Sequence, residues 1–368
     1  MKLDRLIQEF TELVQIDSES GNELAFATDL KTRFEALGFD MVFDDAADHV
    51  PSNSGNLYGI RRGDPDKLPV VFSCHLDTVT PGIGIKPQVL EDRITSDGTT
   101  ILASDDKAPI ASLIEAIRSL DESQEEVGTI EVVFSVGEEI GMHGARHFDV
   151  SRLTGKNMFV LDSSGTPGRA IIQAPTAANI KATITGKSAH AGLEPENGIS
   201  AIMVMSEAIA NMPLLRIDHE TTANVGKISG GNATNIVAEH CQATFEARSL
   251  KQDKLDKQVK AMIEALEAAS TKYGSMLNYE LNTSYPPLLV DQSSGTVQLF
   301  KKAAESLGMT PEFTSTGGGS DANIYAEKGL EVLIPSCGMT AAHSVNEYIL
   351  IEDLSALSRL VREIIKLA

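Results

Sequence analysis

Three apolar runs decide how this sequence folds: LPVVFSCHLD (residues 68–77), TIEVVFSVGEE (129–139) and NMFVLD (157–162). Each run is almost continuous in Val, Ile, Phe and Leu, and each ends in one or two acidic residues. Apolar runs of this length without alternation are typical of strands that are covered on both faces. The three runs therefore predict neighbouring strands in the interior of a sheet.

Helical patterns accompany these strands. In KAPIASLIEAIRSL (107–120) the apolar residues recur at helical spacing, and they do so again between Leu3 and Leu37. Gly21 interrupts the second pattern and Gly38 is placed as a C-terminal cap, so two helices are expected there. Strands that alternate with helices predict a doubly wound α/β domain with a parallel sheet.

The pattern changes near Ala174. Strands are predicted at 178–186, 222–229, 239–249 and 275–284, and helices at 197–212 and 250–273. The order β-α-β-β-α-β is that of a ferredoxin-like α+β domain. We therefore expect residues 175–284 to form a domain inserted into an α/β domain made of residues 1–174 and 285–368.

Length and composition exclude several classes of protein. The chain has 368 residues, enough for about two to three domains, and 42% hydrophobic residues with 23% charged ones exclude a disordered chain. The net charge of −21, without a dense Lys/Arg cluster, argues against nucleic acid or an anionic membrane as a partner. Three separated cysteines without a C-x-x-C pair, and no secretory leader or apolar stretch of about 18 residues, favour a cytoplasmic protein.

Polar side chains with chemical potential follow the predicted strands. In VVFSCHLDTV (70–79) the two-residue strand period puts His75 and Asp77 on one face. That pair suits a metal ligand held in one tautomer by a neighbouring carboxylate, although an isolated pair of this kind is more often structural. Asp105 and Asp106 precede a predicted helix, where carboxylates commonly serve as N-caps.

Four further candidates lie in loops after strands: Glu138, Glu139, Asp162 and His343. Each of them alone is more often solvated or structural. The carboxyl ends of separate parallel strands, however, converge on one crevice in open α/β sheets. Two histidines and several carboxylates without a cysteine ligand suit Zn(II), with Co(II) or Mn(II) as substitutes.

The motifs together resemble a known family. The blocks SCHLDTV, SDDKA, GEEIGMHGA and VLDSSG, followed by GGGSDAN and HSVNEYI, occur in the order found in dinuclear zinc aminopeptidases, carboxypeptidases and aminoacylases. They look closest to peptidase T-like proteins, and the resemblance covers essentially the whole chain. It implies a zinc-peptidase-like α/β domain, with a mixed or parallel sheet flanked by helices, and an inserted domain that acts as a lid or in dimerisation.

The resemblance also implies a role for each candidate. Asp105 would bridge two divalent metal ions, His75 and Asp162 would complete one site, and Glu139 and His343 the other. Glu138 would be the general base for a metal-activated water, and Asp77 would orient His75. Three carboxylates and a bridging hydroxide would balance the charge of two divalent ions, which makes burial of the centre tolerable.

Substrate contacts are expected from the inserted domain and from a later loop. The resemblance implies that His190 in KSAHAG reaches the scissile carbonyl, and that Asn235 and Arg248 hold polar or carboxylate parts of the substrate. Gly319 and Ser320 in GGGSDAN would add contacts near a helix N-terminus. Without the resemblance, His190 is more simply a surface histidine and Arg248 a solvated charge.

The remaining histidines receive no role. His143 and His147 are spaced i, i+4, but the segment has no Glu as in H-E-x-x-H. His49, His219 and His240 are likewise interpreted as surface or packing residues.

Three functions remain in competition. The first is an aminopeptidase for short peptides, a tripeptidase of the peptidase T type. The second is an N-acyl amino acid deacylase or carboxypeptidase with the same metal centre, and the third is a binding protein that keeps the fold without catalysis. The presence of all proposed ligands and of Glu138 disfavours the third, and a homodimer through the inserted domain stays open.

Overall fold

The computed structural model describes all 368 residues, and the chain divides into two compact units. The first unit comprises Met1–Ile172, Leu289–Ser315 and Ser320–Ala368. The second comprises Gln173–Leu288 and the short segment Thr316–Gly319. The sequence prediction assigned that short segment to the α/β domain.

Helices and strands follow one another along the chain in three stretches. The first contains α1 (Leu3–Val14), α2 (Leu24–Ala36), β1 (Asp40–Phe43), β2 (Leu57–Arg61), β3 (Val70–His75), β4 (Gln88–Val89), β5 (Arg93–Thr95), α3 (Ser104–Ser123), β6 (Ile130–Ser135), α4 (His143–His147), β7 (Asn157–Val160) and β8 (Arg169–Ala174). The second contains β9 (Thr176–Thr185), α5 (Ala201–Ala210), β10 (Leu215–Arg216), β11 (Thr221–Gly230), β12 (His240–Ser249), α6 (Gln252–Tyr273) and β13 (Met276–Tyr285). The third contains β14 (Leu288–Leu289), α7 (Gly295–Ser306), β15 (Glu312–Ser315), α8 (Asp321–Glu327), β16 (Glu331–Pro335), β17 (Met339–Thr340), β18 (Tyr348–Leu350) and α9 (Ile351–Leu367).

The large sheet of nine strands is mixed. Its strands run in the order β1-β2-β6-β3-β7-β16-β8-β14, and β15 pairs with β8. The three apolar runs of the sequence form β3, β6 and β7, and β3 lies parallel to both of its neighbours. Pairing is antiparallel between β2 and β6 and between β16 and β8. The expected parallel pairing is therefore found in the centre of the sheet, among β6, β3 and β7. As a result, the carboxyl ends of these three strands lie at the same edge of the sheet.

Burial explains why these strands lack alternation. Every residue of β3 and β6 is buried, so neither face of either strand needs polar side chains. The helix α3 packs against α1 and α9, and α9 turns Leu354, Leu357, Val361 and Ile364 into the core. A separate four-stranded antiparallel sheet has the order β17-β18-β5-β4. No helix combines the length and the apolar character that a membrane crossing requires.

The second unit has its own sheet and core. Its strands run antiparallel in the order β10-β11-β12-β9-β13, and α5 and α6 pack against each other and against the sheet. Among the four long strands the chain order reads second, third, first, fourth, which is the ferredoxin-like arrangement predicted from the β-α-β-β-α-β pattern. Ile180, Ile184, Met205, Phe245 and Met262 belong to the buried cluster.

Candidate metal centre

The predicted ligands sit at the ends of the central strands. His75 is the last residue of β3, the Glu138–Glu139 pair follows β6, and Asp162 follows β7. Asp105 lies at the start of α3, and His343 lies in the loop between β17 and β18. All of them belong to the first unit, where the parallel pairing of three strands brings their carboxyl ends together.

Two groups of three ligand atoms share Asp105. In the first, potential ligand atoms of His75, Asp105 and Asp162 all lie within 4.8 Å of one another, and His75 Nε2 is 2.9 Å from Asp105 Oδ1. In the second, Asp105, Glu139 and His343 lie equally close, with His343 Nε2 at 3.2 Å from Asp105 Oδ2 and 2.8 Å from Glu139 Oε1. The two oxygens of Asp105 therefore face different groups.

A third group overlaps with these two. Glu138 offers an oxygen within 4.8 Å of ligand atoms of His75 and Glu139. Glu138 is buried, whereas the His343 side chain is 53% exposed. The cluster thus has a closed side and a side open to solvent.

The cluster holds more buried acid than its own cations can balance. Burial, and then the neighbouring Asp105, raises the pKa of Asp162 to about 7. Burial, and then Asp162, raises the pKa of Glu138 well above its ordinary value. Crowded carboxylates of this kind attract protons or metal ions.

The carboxylates of the cluster favour a positive charge on the neighbouring histidine, at a place where a metal ion could also bind. Hydrogen bonds to Asp105 and Glu139 raise the pKa of His343 to about 10. Burial opposes the ionisation of Asp105, but its hydrogen bonds with His343 and His75 outweigh burial and lower its pKa. Imidazole nitrogens and carboxylate oxygens at these separations are the donor set of a zinc-class site, so the residues fit the metal pair that the resemblance implies.

Asp77 contacts both His75 and the loop that carries the two glutamates. The backbone carbonyl of Asp77, at 2.8 Å, is the nearest partner of His75 Nδ1, whereas Oδ1 of its side chain is 3.6 Å away. The carboxylate accepts hydrogen bonds from the backbone N–H of Glu138 at 2.9 Å and of Glu139 at 3.2 Å, and from Ser20 Oγ at 2.6 Å. Asp77 therefore fixes the loop that carries both glutamates.

Neither aspartate at the start of α3 acts as its N-cap. Ala103 occupies the cap position, and no side chain caps the helix there. Asp105 faces the two histidines, and Asp106 Oδ2 accepts a hydrogen bond from the backbone N–H of His75 at 3.0 Å. Both carboxylates therefore have partners outside the helix, and the capping role that is common for aspartates before a helix is not the one seen here.

Glu347 is a residue that sequence reasoning missed. Its side chain is buried, and its carboxylate accepts four hydrogen bonds from the loop that leads into Asp105. Oε2 accepts from the backbone N–H of Leu102 at 2.8 Å and of Ala103 at 2.9 Å. Oε1 accepts from Ser104 Oγ at 2.5 Å and from the backbone N–H of Asp105 at 3.1 Å. Because Glu347 follows His343 by four residues, it ties together the two segments that supply His343 and Asp105.

The predicted substrate residues lie in both units. In the second unit, His190 and Asn235 are adjacent, because the N–H of Ala191 donates to the carbonyl of Asn235 at 3.0 Å. Arg248 is held by Glu246 through Nε at 2.7 Å and Nη2 at 3.0 Å. Gly319 packs so closely on Tyr285 that a Cβ would come within 2.4 Å of its ring.

Ser320 belongs to the first unit and has a structural contact. Its Oγ accepts a hydrogen bond from the backbone N–H of Ala322 at 3.4 Å, and Asn323 completes a capping box for α8. A contact between Ser320 and substrate stays a prediction.

Comparison of this chain with known proteins identifies its family. A model of the M20 peptidase dimerisation domain matches residues 172–274, and a model of the M42 glutamyl aminopeptidases matches residues 85–169. The crystal structure of aminopeptidase PepT from Bacillus cereus is 43% identical, with a TM-score of 0.91 over 100% of this chain and 99% of the other. This chain belongs to the M20 family of metallopeptidases.

Two further relatives are similar to this chain over most of their length. A tripeptidase from Staphylococcus aureus has a TM-score of 0.95 at 38% identity, covering 100% of this chain and 98% of the other. Peptidase T from Fusobacterium nucleatum is 27% identical over 94% of this chain and 91% of its own. The predicted family and fold class are confirmed. This chain is a metal-dependent peptide hydrolase.

Proposed function

We propose that this protein is an aminopeptidase that removes the N-terminal residue of short peptides, with free tripeptides as its main substrates. The observation that carries the proposal is the sharing of Asp105 between two three-residue groups at the ends of the parallel strands. The names of two relatives, an aminopeptidase and a tripeptidase, support the choice among M20 activities. The deacylase and carboxypeptidase alternative has no such support.

Two divalent ions would be held by the two groups. His75, Asp105 and Asp162 would hold one ion, and Asp105, Glu139 and His343 the other. The donor set suits Zn(II), with Co(II) or Mn(II) as substitutes. When bound, such a pair supplies polarisation of the scissile carbonyl and a lower pKa for water.

The protein supplies the proton transfer and the positioning. Glu138 would accept the proton of the attacking water at a carboxylate oxygen and deliver it to the leaving amine. Asp77 would hold Glu138 in place through the backbone hydrogen bond at 2.9 Å. Because Glu138 and Glu139 are adjacent and both reach the cluster, the division between base and ligand needs a direct test.

Arg248 is the candidate for the substrate carboxylate. Two of its nitrogens are bound to Glu246, and Nη1 lies 3.4 Å from the carbonyl of Gly317. A carboxylate would therefore meet a guanidinium whose charge Glu246 partly compensates. The carboxylate of a peptide C-terminus would compete with Glu246 for Arg248. This competition favours weak, exchangeable binding over tight binding of the C-terminus.

A matched substrate panel tests the proposed activity. We expect the metal-loaded protein to release the first residue of a free tripeptide, and to leave the same tripeptide untouched when its N-terminus is acetylated. A chelator should abolish the reaction, and zinc, cobalt or manganese should restore it. Cleavage of only the N-acylated substrates would overturn the proposal in favour of a deacylase.

Self-association through the second unit stays a prediction. Its support is the match of residues 172–274 to the peptidase dimerisation domain. The molecular mass of the protein in solution tests it, with a monomer at all concentrations as the contrary result.

A further inference from the structure

Two histidines and an aspartate without a role in the proposed reaction meet on the surface of the first unit. His147 Nε2 is 2.7 Å from Asp45 Oδ1, and His49 Nε2 is 3.7 Å from Asp45 Oδ2. The two imidazole rings are stacked, with centroids 4.8 Å apart. Potential ligand atoms of all three residues lie within 4.8 Å of one another.

The backbone on both sides of this cluster is fixed. Asp45 and His49 flank a short turn in which the N–H of Asp48 donates to Asp45 and the N–H of His49 to Ala46. His147 ends α4, and Lys328 Nζ donates hydrogen bonds of 2.7 Å to three carbonyls around that helix end. The three side chains therefore project from two anchored segments.

The donor atoms of the cluster suit a transition-metal ion. Ligand atoms about 2.0–2.1 Å from a tetrahedral zinc ion are about 3.3 Å apart, and the two nitrogen–oxygen distances of 2.7 and 3.7 Å bracket that value. Two imidazoles make the set poor for Ca²⁺ or Mg²⁺, which prefer oxygen ligands. Exposure of Asp45 and His49 leaves room for water as the remaining ligand.

We propose that Asp45, His49 and His147 bind a zinc-class divalent ion at a site separate from the candidate metal centre. The two sites have no residue in common. An ion at this place would join the segment that contains Asp45 and His49 to the end of α4.

The joined segments also support the loop of Glu138 and Glu139. Asn56 bridges them, because its Nδ2 donates to Asp44 at 2.7 Å and to the carbonyl of Gly144 at 3.0 Å. Its Oδ1 accepts from the backbone N–H of Val136 at 3.1 Å. Gly144 and Val136 bracket the two glutamates in sequence, so the ion would stabilise the fold around that loop without contacting substrate.

The test counts metal equivalents and follows thermal stability. Zinc is titrated into the holoenzyme, and the same titration is repeated on His49→Ala and His147→Ala. We expect each variant to bind one equivalent fewer than the parent protein, whatever number the catalytic centre holds. The parent Tm should rise as the last equivalent binds, and the Tm of the variants should not. Because the ion contacts neither substrate nor a ligand of the candidate metal centre, peptide hydrolysis assayed well below the Tm should remain unchanged in both variants.

His219→Ala is the matched control, because His219 is 82% exposed and lies in the second unit. It should keep the parent stoichiometry. The proposal is overturned if the variants bind as many equivalents as the parent, or if His219→Ala loses the same equivalent. Cobalt in place of zinc gives a second readout, since its visible absorption should lose one component in both site variants.

Discussion

Glu138→Gln is expected to keep its bound metal and to lose turnover by about 10²- to 10⁴-fold, the usual contribution of a general base. The amide preserves the shape of the side chain but cannot accept the proton of the attacking water. The hydrogen bond from its backbone N–H to Asp77 does not depend on the side chain, so the loop should stay in place. Steady-state kinetics and metal content, measured on the same preparation, give both quantities.

Glu139→Gln is the matched control, since it changes the adjacent residue in the same way. Its Oε1 lies 2.8 Å from His343 Nε2 in the group that also contains Asp105. We therefore expect this variant to lose one metal ion as well as activity. If both variants lost metal equally, or if Glu139→Gln kept both ions while Glu138→Gln lost one, the division between base and ligand would be refuted.

Glu347→Gln is expected to weaken metal binding by about 10- to 100-fold, which is the usual effect of removing a residue that positions a metal ligand without contacting the metal. Each carboxylate oxygen of Glu347 accepts two hydrogen bonds. An amide has only one oxygen, so two buried donors lose their acceptor in either orientation of the side chain. The loop that carries Asp105 should then lose its fixed position, and the ion that Asp105 shares should bind less tightly.

A positioning role has a signature that simple destabilisation lacks. Excess zinc should restore much of the kcat of Glu347→Gln, and Glu347→Asp, which retains both oxygens, should bind metal more tightly than the Gln variant. Glu305→Gln, on an exposed position of α7, is the control and should behave as the parent. Parent-like metal affinity in Glu347→Gln, with only a lower Tm, would mean that Glu347 serves the fold alone.

The sequence predicted the parts of the site that depend on regular structure. Uninterrupted apolar runs identified β3, β6 and β7, and the parallel pairing of β3 with its neighbours places His75, Glu139 and Asp162 at one edge. The choice between a mixed and a parallel sheet stayed open, and which strands pair antiparallel was not predicted, because strand pairing is decided by contacts between segments remote in sequence. For the second unit, the β-α-β-β-α-β order was sufficient to predict the sheet, because its four long strands follow one another along the chain.

Contacts made by irregular backbone escaped prediction. Glu347 occurs in a quoted motif, but nothing local indicates that its carboxylate meets a loop some 242 residues earlier in the chain. The contact between His147 and Asp45 spans 102 residues, and nothing near His147 in the sequence indicates it. In each case the side chain's partner is determined by tertiary packing, not by local periodicity.

We propose that two metal ions share Asp105 at the edge of the parallel strands. Anomalous diffraction from crystals of the zinc-loaded protein tests it most directly. We expect one zinc peak bounded by His75, Asp105 and Asp162, and a second bounded by Asp105, Glu139 and His343. A single peak in this pocket, or two peaks of which only one contacts Asp105, would contradict it.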